Sequence, residues 1–160
     1  MPQILLTIFQ LTSRSVSQLC MSIMTNGTAG IPEKFMGSFK LDRSENFDEF
    51  LASKGINWFL RKMICYASVT KVFSHADEIE NAYCLQNLSA KRNTLYKNWK
   101  LSEDFEAEGF DGRMHKIKFD YDPETESLKE THVRTDDPTD AGETYTYTVD
   151  GNTLVLVSTS

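Results

Sequence analysis

Two hydrophobic rhythms divide the chain from Phe35 onward. Met36–Leu41 alternates apolar and polar residues with period two, which predicts a short strand. Phe47, Phe50 and Leu51 then fall at i, i+3 and i+4, the spacing of one helical face. Asn46 is a good N-cap with Glu49 three residues on, a capping-box pattern. Gly55 suits the left-handed residue that ends a helix. Asn57 opens a second helix whose apolar positions are Trp58, Phe59, Met63 and Ile64. Both helices are too short to be stable alone, so each must lie on something larger.

After Ala67 the helical pattern stops and period-two segments follow. Strands are predicted over Val69–His75, Asn81–Leu88, Lys91–Leu101, Glu103–Glu108, Met114–Tyr121, Leu128–Arg134, Glu143–Val149 and Thr153–Thr159. Glu103–Glu108 is short and acidic, the character of an edge. In Met114–Tyr121, His115, Ile117, Phe119 and Tyr121 share one side. Asp111-Gly112, Asp122-Pro123 and Asp150-Gly151 mark tight turns. Strands spaced this evenly indicate an antiparallel sandwich or barrel.

Residues 1–30 stand apart, with no acidic residue and one basic residue, Arg14. Ile4–Leu11 (ILLTIFQL) is apolar but far too short to span a bilayer as a helix. The first reading makes residues 1–30 an N-terminal extension, disordered or a weak signal or targeting segment, before a domain at 31–160. A signal peptide lacks support from a charged n-region or a prompt cleavage site. Asn26-Gly27-Thr28 and Asn87-Leu88-Ser89 are glycosylation sequons that matter only if the chain is secreted.

A length of 160 residues fits one domain, and 40% hydrophobic residues suffice for a sizeable core. The net charge of −6 argues against a nucleic-acid partner. Cys20, Cys65 and Cys84 are an odd number without CxxC spacing, which points to a reducing compartment, the cytoplasm, with secretion as the alternative. His75, His115 and His132 have no ligand spacing with the cysteines, so neither a metal nor another cofactor is expected. No nucleophile motif such as G-x-S-x-G is present, and no enzyme activity is expected.

Phe35-x-Gly37-x-Phe39-Lys40-Leu41, followed by Ser44-Glu45-Asn46-Phe47-Asp48-x-Phe50, resembles the opening of the intracellular lipid-binding proteins, the fatty-acid-binding and retinoid-binding proteins. Arg61-Lys62, Lys100-Leu101-x-Glu103-x-Phe105, Asp111-Gly112-Arg113 and Asp150-Gly151-Asn152-x-Leu154-Val155-Leu156 extend the resemblance to Ser160. Phe39 stands where that family usually carries Trp. The resemblance implies a mainly β fold, an antiparallel up-and-down β-barrel of lipocalin or calycin type with a helix-turn-helix lid. Its C-terminal strand is missing here.

The implied ligand is a long-chain fatty acid or similar apolar molecule, bound by a monomer, with transient membrane contact through the lid. Phe47, Phe50, Leu51, Ile56, Trp58, Phe59 and Met63 would line the lid. Leu88 and Leu156 would line the wall. Arg113 would lie near the portal, and His132, Tyr145 and Tyr147 would supply polar contacts.

The resemblance also brings a departure. The family usually holds the carboxylate with two arginines and a tyrosine. Tyr147 occupies the first arginine's position, and the chain ends before the strand that carries the other two. Burial of a sixteen-carbon chain, at about 0.8 kcal/mol per CH2, still offers roughly 10 kcal/mol of gross transfer energy. A missing strand would leave two open sheet edges, which invite aggregation. One alternative places Gln3–Gln10 in that gap as a replacement strand. A competing function is a partner-binding module, or an inactive truncated form, with no bound lipid.

Overall fold

A computed structural model describes residues 4–14, 30–53, 55, 57–65, 67–90 and 92–159. The first described segment corrects the sequence reading. Ile4–Ser13 is a strand, β1, and the sheet therefore begins well before residue 31. Nine further strands follow: β2 (Gly37–Glu45), β3 (Val69–His75), β4 (Tyr83–Ser89), β5 (Thr94–Trp99), β6 (Asp104–Glu108), β7 (Met114–Asp122), β8 (Ser127–Arg134), β9 (Glu143–Asp150) and β10 (Thr153–Thr159). Between β2 and β3 lie α1 (Phe47–Ser53) and α2 (Trp58–Cys65). Cys20 and the Asn26 sequon lie outside the described residues.

All neighbouring strands pair antiparallel, in the spatial order β5-β4-β3-β2-β1-β10-β9-β8-β7-β6. The expected open edges between the first and last strands of the 31–160 domain are therefore not open. β1 lies between β10 and β2, in the gap where the alternative placed Gln3–Gln10. It pairs with β10 from Ile4↔Thr159 to Gln10↔Thr153. On its other side it pairs with β2 from Leu6↔Glu45 to Ser13↔Ser38, with two register shifts. The physical reason is edge satisfaction: β2 and β10 each present a row of unpaired backbone groups, and one apolar strand satisfies both.

Gly37 marks how closely β1 lies on β2. Its φ is +138°, and a Cβ there would sit 2.6 Å from the Ser13 carbonyl oxygen. Only glycine accommodates both constraints.

The sheet is nearly closed. No ladder joins β5 to β6 among the described residues, and side chains span that gap instead. Arg92 pairs with Glu108, and the Tyr96 and Phe105 rings lie 5.8 Å apart. Ser102 N donates to Phe119 O at 2.8 Å. The edge character predicted for Glu103–Glu108 follows from this position of β6.

An aromatic plug fills the barrel end away from the helices. Trp99 stacks on Phe119 at 3.9 Å, and Phe35, Phe39, Phe73 and Leu85 are buried around them. The 3-10 turn Glu33–Phe35 covers this end, carrying Phe35 inward. At the opposite end α1 packs against β1 and α2. Phe50 and Leu51 are buried there, on the helical face their spacing predicts. Gly55 has φ +76°, the left-handed conformation expected of it. Asp48 ties the two helices together, 3.3 Å from Arg61 Nε and 3.4 Å from Lys62 Nζ. Burial alone would raise the Asp48 pKa, but these two cations outweigh it and hold it down.

Candidate ligand-binding site

Strand register sets the inner wall. Tyr121, Leu128, Tyr147, Leu156 and Thr7 form one cross-strand row over β7, β8, β9, β10 and β1. The next row toward the helices is Phe119, Glu130, Tyr145, Ser158 and Leu5. Period-two alternation turns both rows inward, and Leu5, Thr7, Phe119, Leu128, Glu130, Tyr147, Leu156 and Ser158 are all buried.

A polar layer crosses the barrel between the aromatic plug and the lid. Tyr147 Oη donates to Glu130 Oε2 at 2.5 Å, and His132 Nε2 lies 2.7 Å from Glu130 Oε1. From the far wall, Lys71 on β3 reaches over the Tyr147 ring, its Nζ 5.3 Å from the centroid. Lys71 Nζ donates to Asn87 Oδ1 at 2.7 Å, and Asn87 Nδ2 donates to Thr94 Oγ1 at 2.9 Å. The side chain of Asn87, the asparagine of the second sequon, is therefore engaged on the inner face of β4. On the lid side of the layer, Tyr145 Oη donates to Glu143 Oε2 at 2.6 Å.

The electrostatics follow from that wiring. Burial pushes the Glu130 pKa up, but the His132 hydrogen bond, the Lys71 charge and the Tyr147 hydrogen bond together bring it to about 2. Burial lowers the Lys71 amine, against the pull of Glu130. Burial, reinforced by the neighbouring carboxylates, pushes Tyr145 and Tyr147 well above their ordinary value, so both are neutral donors. Three buried polar atoms make no hydrogen bond among the described residues: Trp99 Nε1, His115 Nδ1 and Ser158 Oγ.

Lys71, Asn87 and Tyr145 are only half-buried although the register turns them inward. An open cleft of about 320 Å³ lies at the lid's margin, lined by Leu41, Ser44, Phe47 and Cys65 with Asp42, Asp48 and Glu49 on its rim.

The structure brings together some of the sequence-predicted residues and separates others. His132, Tyr145, Tyr147 and Leu156 all face the interior, and Phe47 packs half-buried beside Phe50 and Leu51. Trp58 and Phe59, expected on the ligand-facing side of the lid, are instead exposed at 64% and 68%. The inner face of the lid is already filled by Phe50 and Leu51, which leaves these two rings outside. Leu88 is also outside, at 39%, because its neighbours Asn87 and Leu85 take the inward phase of β4. Arg113 lies on an exposed turn, 3.5 Å from Asp136. Ile56 and the Met63 side chain lie outside the described residues.

Sequence reasoning missed Lys71 and Glu130. Both lie in alternating strands, and their inward phase was the available signal. The two arginines implied by the resemblance have no counterpart in β1: its inward residues are Leu5, Thr7, Phe9 and Leu11, and Ile4–Ser13 carries no basic residue.

No protein-family model matches the chain. Individual proteins do. The chain is 48% identical over 136 residues to fatty acid-binding protein homolog 3 of Caenorhabditis elegans, covering 85% of this chain and 81% of that protein. It is 48% identical over 128 residues to the fatty acid-binding protein homolog of Ascaris suum, covering 79% and 77%. Among solved structures it is similar to As-p18, described as an extracellular fatty acid binding protein, at 40% identity and a TM-score of 0.73, covering 82% of this chain and 99% of that one. A Schistosoma mansoni fatty acid binding protein, solved with arachidonic acid, shares the fold at a TM-score of 0.63 and 23% identity.

Proposed function

Because the chain belongs to the fatty-acid-binding protein family, we propose that it binds one long-chain fatty acid or related apolar molecule in its barrel and carries it without chemical change. The observation that supports this most directly is the inward-facing polar layer between plug and lid, where Lys71, Asn87 and Tyr145 share the inward phase of the wall with buried apolar neighbours. A wall of that kind suits an alkyl chain with one polar end. The affinity would come chiefly from burying the chain, at about 0.8 kcal/mol per CH2.

The test is native mass spectrometry of the purified full chain, followed by displacement of a bound environment-sensitive dye. Co-extracted lipid and competitive displacement are the expected results. A folded sample that carries no lipid and binds no dye would favour the partner-binding alternative.

We further propose that the chain works as a monomer and loads or unloads at membranes through α2. Trp58 and Phe59 project outward from α2, two exposed aromatic rings suited to a lipid surface. Replacing both rings by Ser should slow ligand transfer to anionic vesicles severalfold and leave equilibrium affinity within about twofold. An unchanged transfer rate would remove the membrane role.

The cytoplasm is the proposed compartment. Cys65 and Cys84 are unpaired, and removal of Ile4–Ser13 as a leader would reopen the sheet between β2 and β10. Secretion stays the alternative. Fractionation of tagged full-length chain, with the N-terminus of the recovered protein sequenced, separates the two.

A further inference from the structure

We propose that the seam between the first half of β1 and the end of β2 is a side door of the barrel: residues 43–45 part from residues 6–8, and the ligand enters and leaves through that opening. This rests on the carrier reading above and assigns the route the ligand takes.

The first observation is how unevenly β1 is fastened. Toward Ser13 it is tied by more than its regular pairing. Leu11 N donates to Asn152 O at 2.8 Å, Thr12 Oγ1 donates to Ser38 O at 2.9 Å, and Arg14 Nη2 donates to Asn152 Oδ1 at 3.3 Å. Toward the lid, the side-chain hydrogen bond that holds residues 5–8 to β2 among the described residues is Ser44 Oγ to Thr7 Oγ1, at 3.3 Å. That is long for a hydroxyl pair and correspondingly weak.

The second observation is where the β1–β2 ladder breaks. Ile8 pairs with Arg43 and Phe9 with Leu41, so Asp42 bulges out of register. A bulge leaves its extra residue unpaired and bends the strand. Beyond it the two strands are joined by Leu6↔Glu45, Thr7↔Ser44 and Ile8↔Arg43. On its other side β1 runs with β10 in unbroken register from Ile4 to Gln10. β2 then turns into α1 at Asn46, whose φ of +61° is left-handed. Residues 43–45 are thus a short segment between two breaks in regular backbone, and β1 can stay on β10 while they move.

The third observation is what lies on the two sides of the seam. Outside, residues 41–44 line the cleft of about 320 Å³. Leu41, Phe47 and Cys65 in that lining pack against the hydrophobic core, so the cleft is continuous with apolar interior. Inside, Leu5 and Thr7 stand on the inner face. The cross-strand partner of Leu5, Ser158, has a buried Oγ with no hydrogen bond among the described residues. α1 packs on β1 above the seam, so residues 43–45 and the first lid helix lift together.

The experiment locks the seam in the full chain with Cys20, Cys65 and Cys84 replaced by Ser. Leu6→Cys with Glu45→Cys places a cysteine pair across it on the outer face. Thr146→Cys with Val157→Cys places the control pair across β9 and β10. Mass mapping establishes each disulfide. Stopped-flow fluorescence then follows an anthroyloxy-labelled stearic acid as it leaves the protein for phosphatidylcholine vesicles. The oxidised seam lock should slow release at least tenfold, leave the equilibrium affinity within about twofold and regain the parent rate on reduction. The control lock should leave the rate within about twofold. Release unchanged by the seam lock would overturn the proposal. Hydrogen exchange on the unmodified chain decides it independently of the variants: the amides of residues 43–45 should exchange at least tenfold faster than those of residues 38–41 and slow when the labelled acid is bound. Equal protection of the two segments, with or without ligand, would overturn the side door as well. An unmodified chain that does not bind the labelled acid would instead overturn the carrier reading.

Discussion

Deleting β1 is the sharpest perturbation this fold offers. In a chain that begins at Gly30, β2 and β10 lose their shared partner along their lengths. The buried side chains Leu5, Ile8 and Phe9 go with it. At about 1.5–3 kcal/mol for each, apolar burial alone falls by roughly 5–9 kcal/mol. Lost ladder hydrogen bonds add about 1 kcal/mol apiece wherever the freed groups stay shielded from water. A typical domain has only about 5–15 kcal/mol in total. The shortened chain should therefore show no cooperative thermal transition in circular dichroism and should aggregate through its two exposed edges. A peptide spanning residues 3–14, supplied in excess, should restore a transition. Phe9→Ala in the full chain is the milder version, with a loss of about 3–5 kcal/mol and a melting temperature lower by about 10 °C. A shortened chain melting cooperatively within about 5 °C of the full one would refute the reasoning.

Further outcomes follow from single residues. Glu130→Gln should flatten the acid limb of stability. The folded pKa of Glu130 lies at about 2, below its ordinary 4.5, so its stabilisation is complete above about pH 4.5 and disappears as pH falls toward 2. That amounts to roughly 3 kcal/mol, read as a smaller fall in melting temperature between pH 5 and pH 2.5 than wild type shows. Gly37→Ala should destabilise by at least about 1 kcal/mol, since it adds a positive-φ cost to the contact with Ser13 O; an unchanged denaturant midpoint would show that β1 lies farther from β2. Asp48→Asn loosens the link between α1 and α2, and stopped-flow dye release should quicken severalfold.

The sequence by itself determined the local elements. Period-two alternation set the strands from Val69 to Thr159 to within a few residues, because one buried face enforces it. The helix pair was equally legible from Phe47, Phe50, Leu51 and Gly55. The resemblance carried by Phe35–Phe50 supplied the barrel and its apolar cargo. What the sequence could not decide was pairing and depth. Ile4–Leu11 has apolar residues at both phases of its alternation, so it shows no clear inward phase and reads equally as a leader or a strand. Only the two vacant edges of β2 and β10, far apart in the chain, select the strand. Trp58 and Phe59 satisfy the same helical pattern whether they face in or out, and the packing of α1 on β1 put them outside. Lys71 and Glu130 sit 59 positions apart in polar-looking strands. Their meeting across the barrel exists only once the sheet has curled on itself, because a charge becomes a binding group through what surrounds it rather than through its neighbours in sequence.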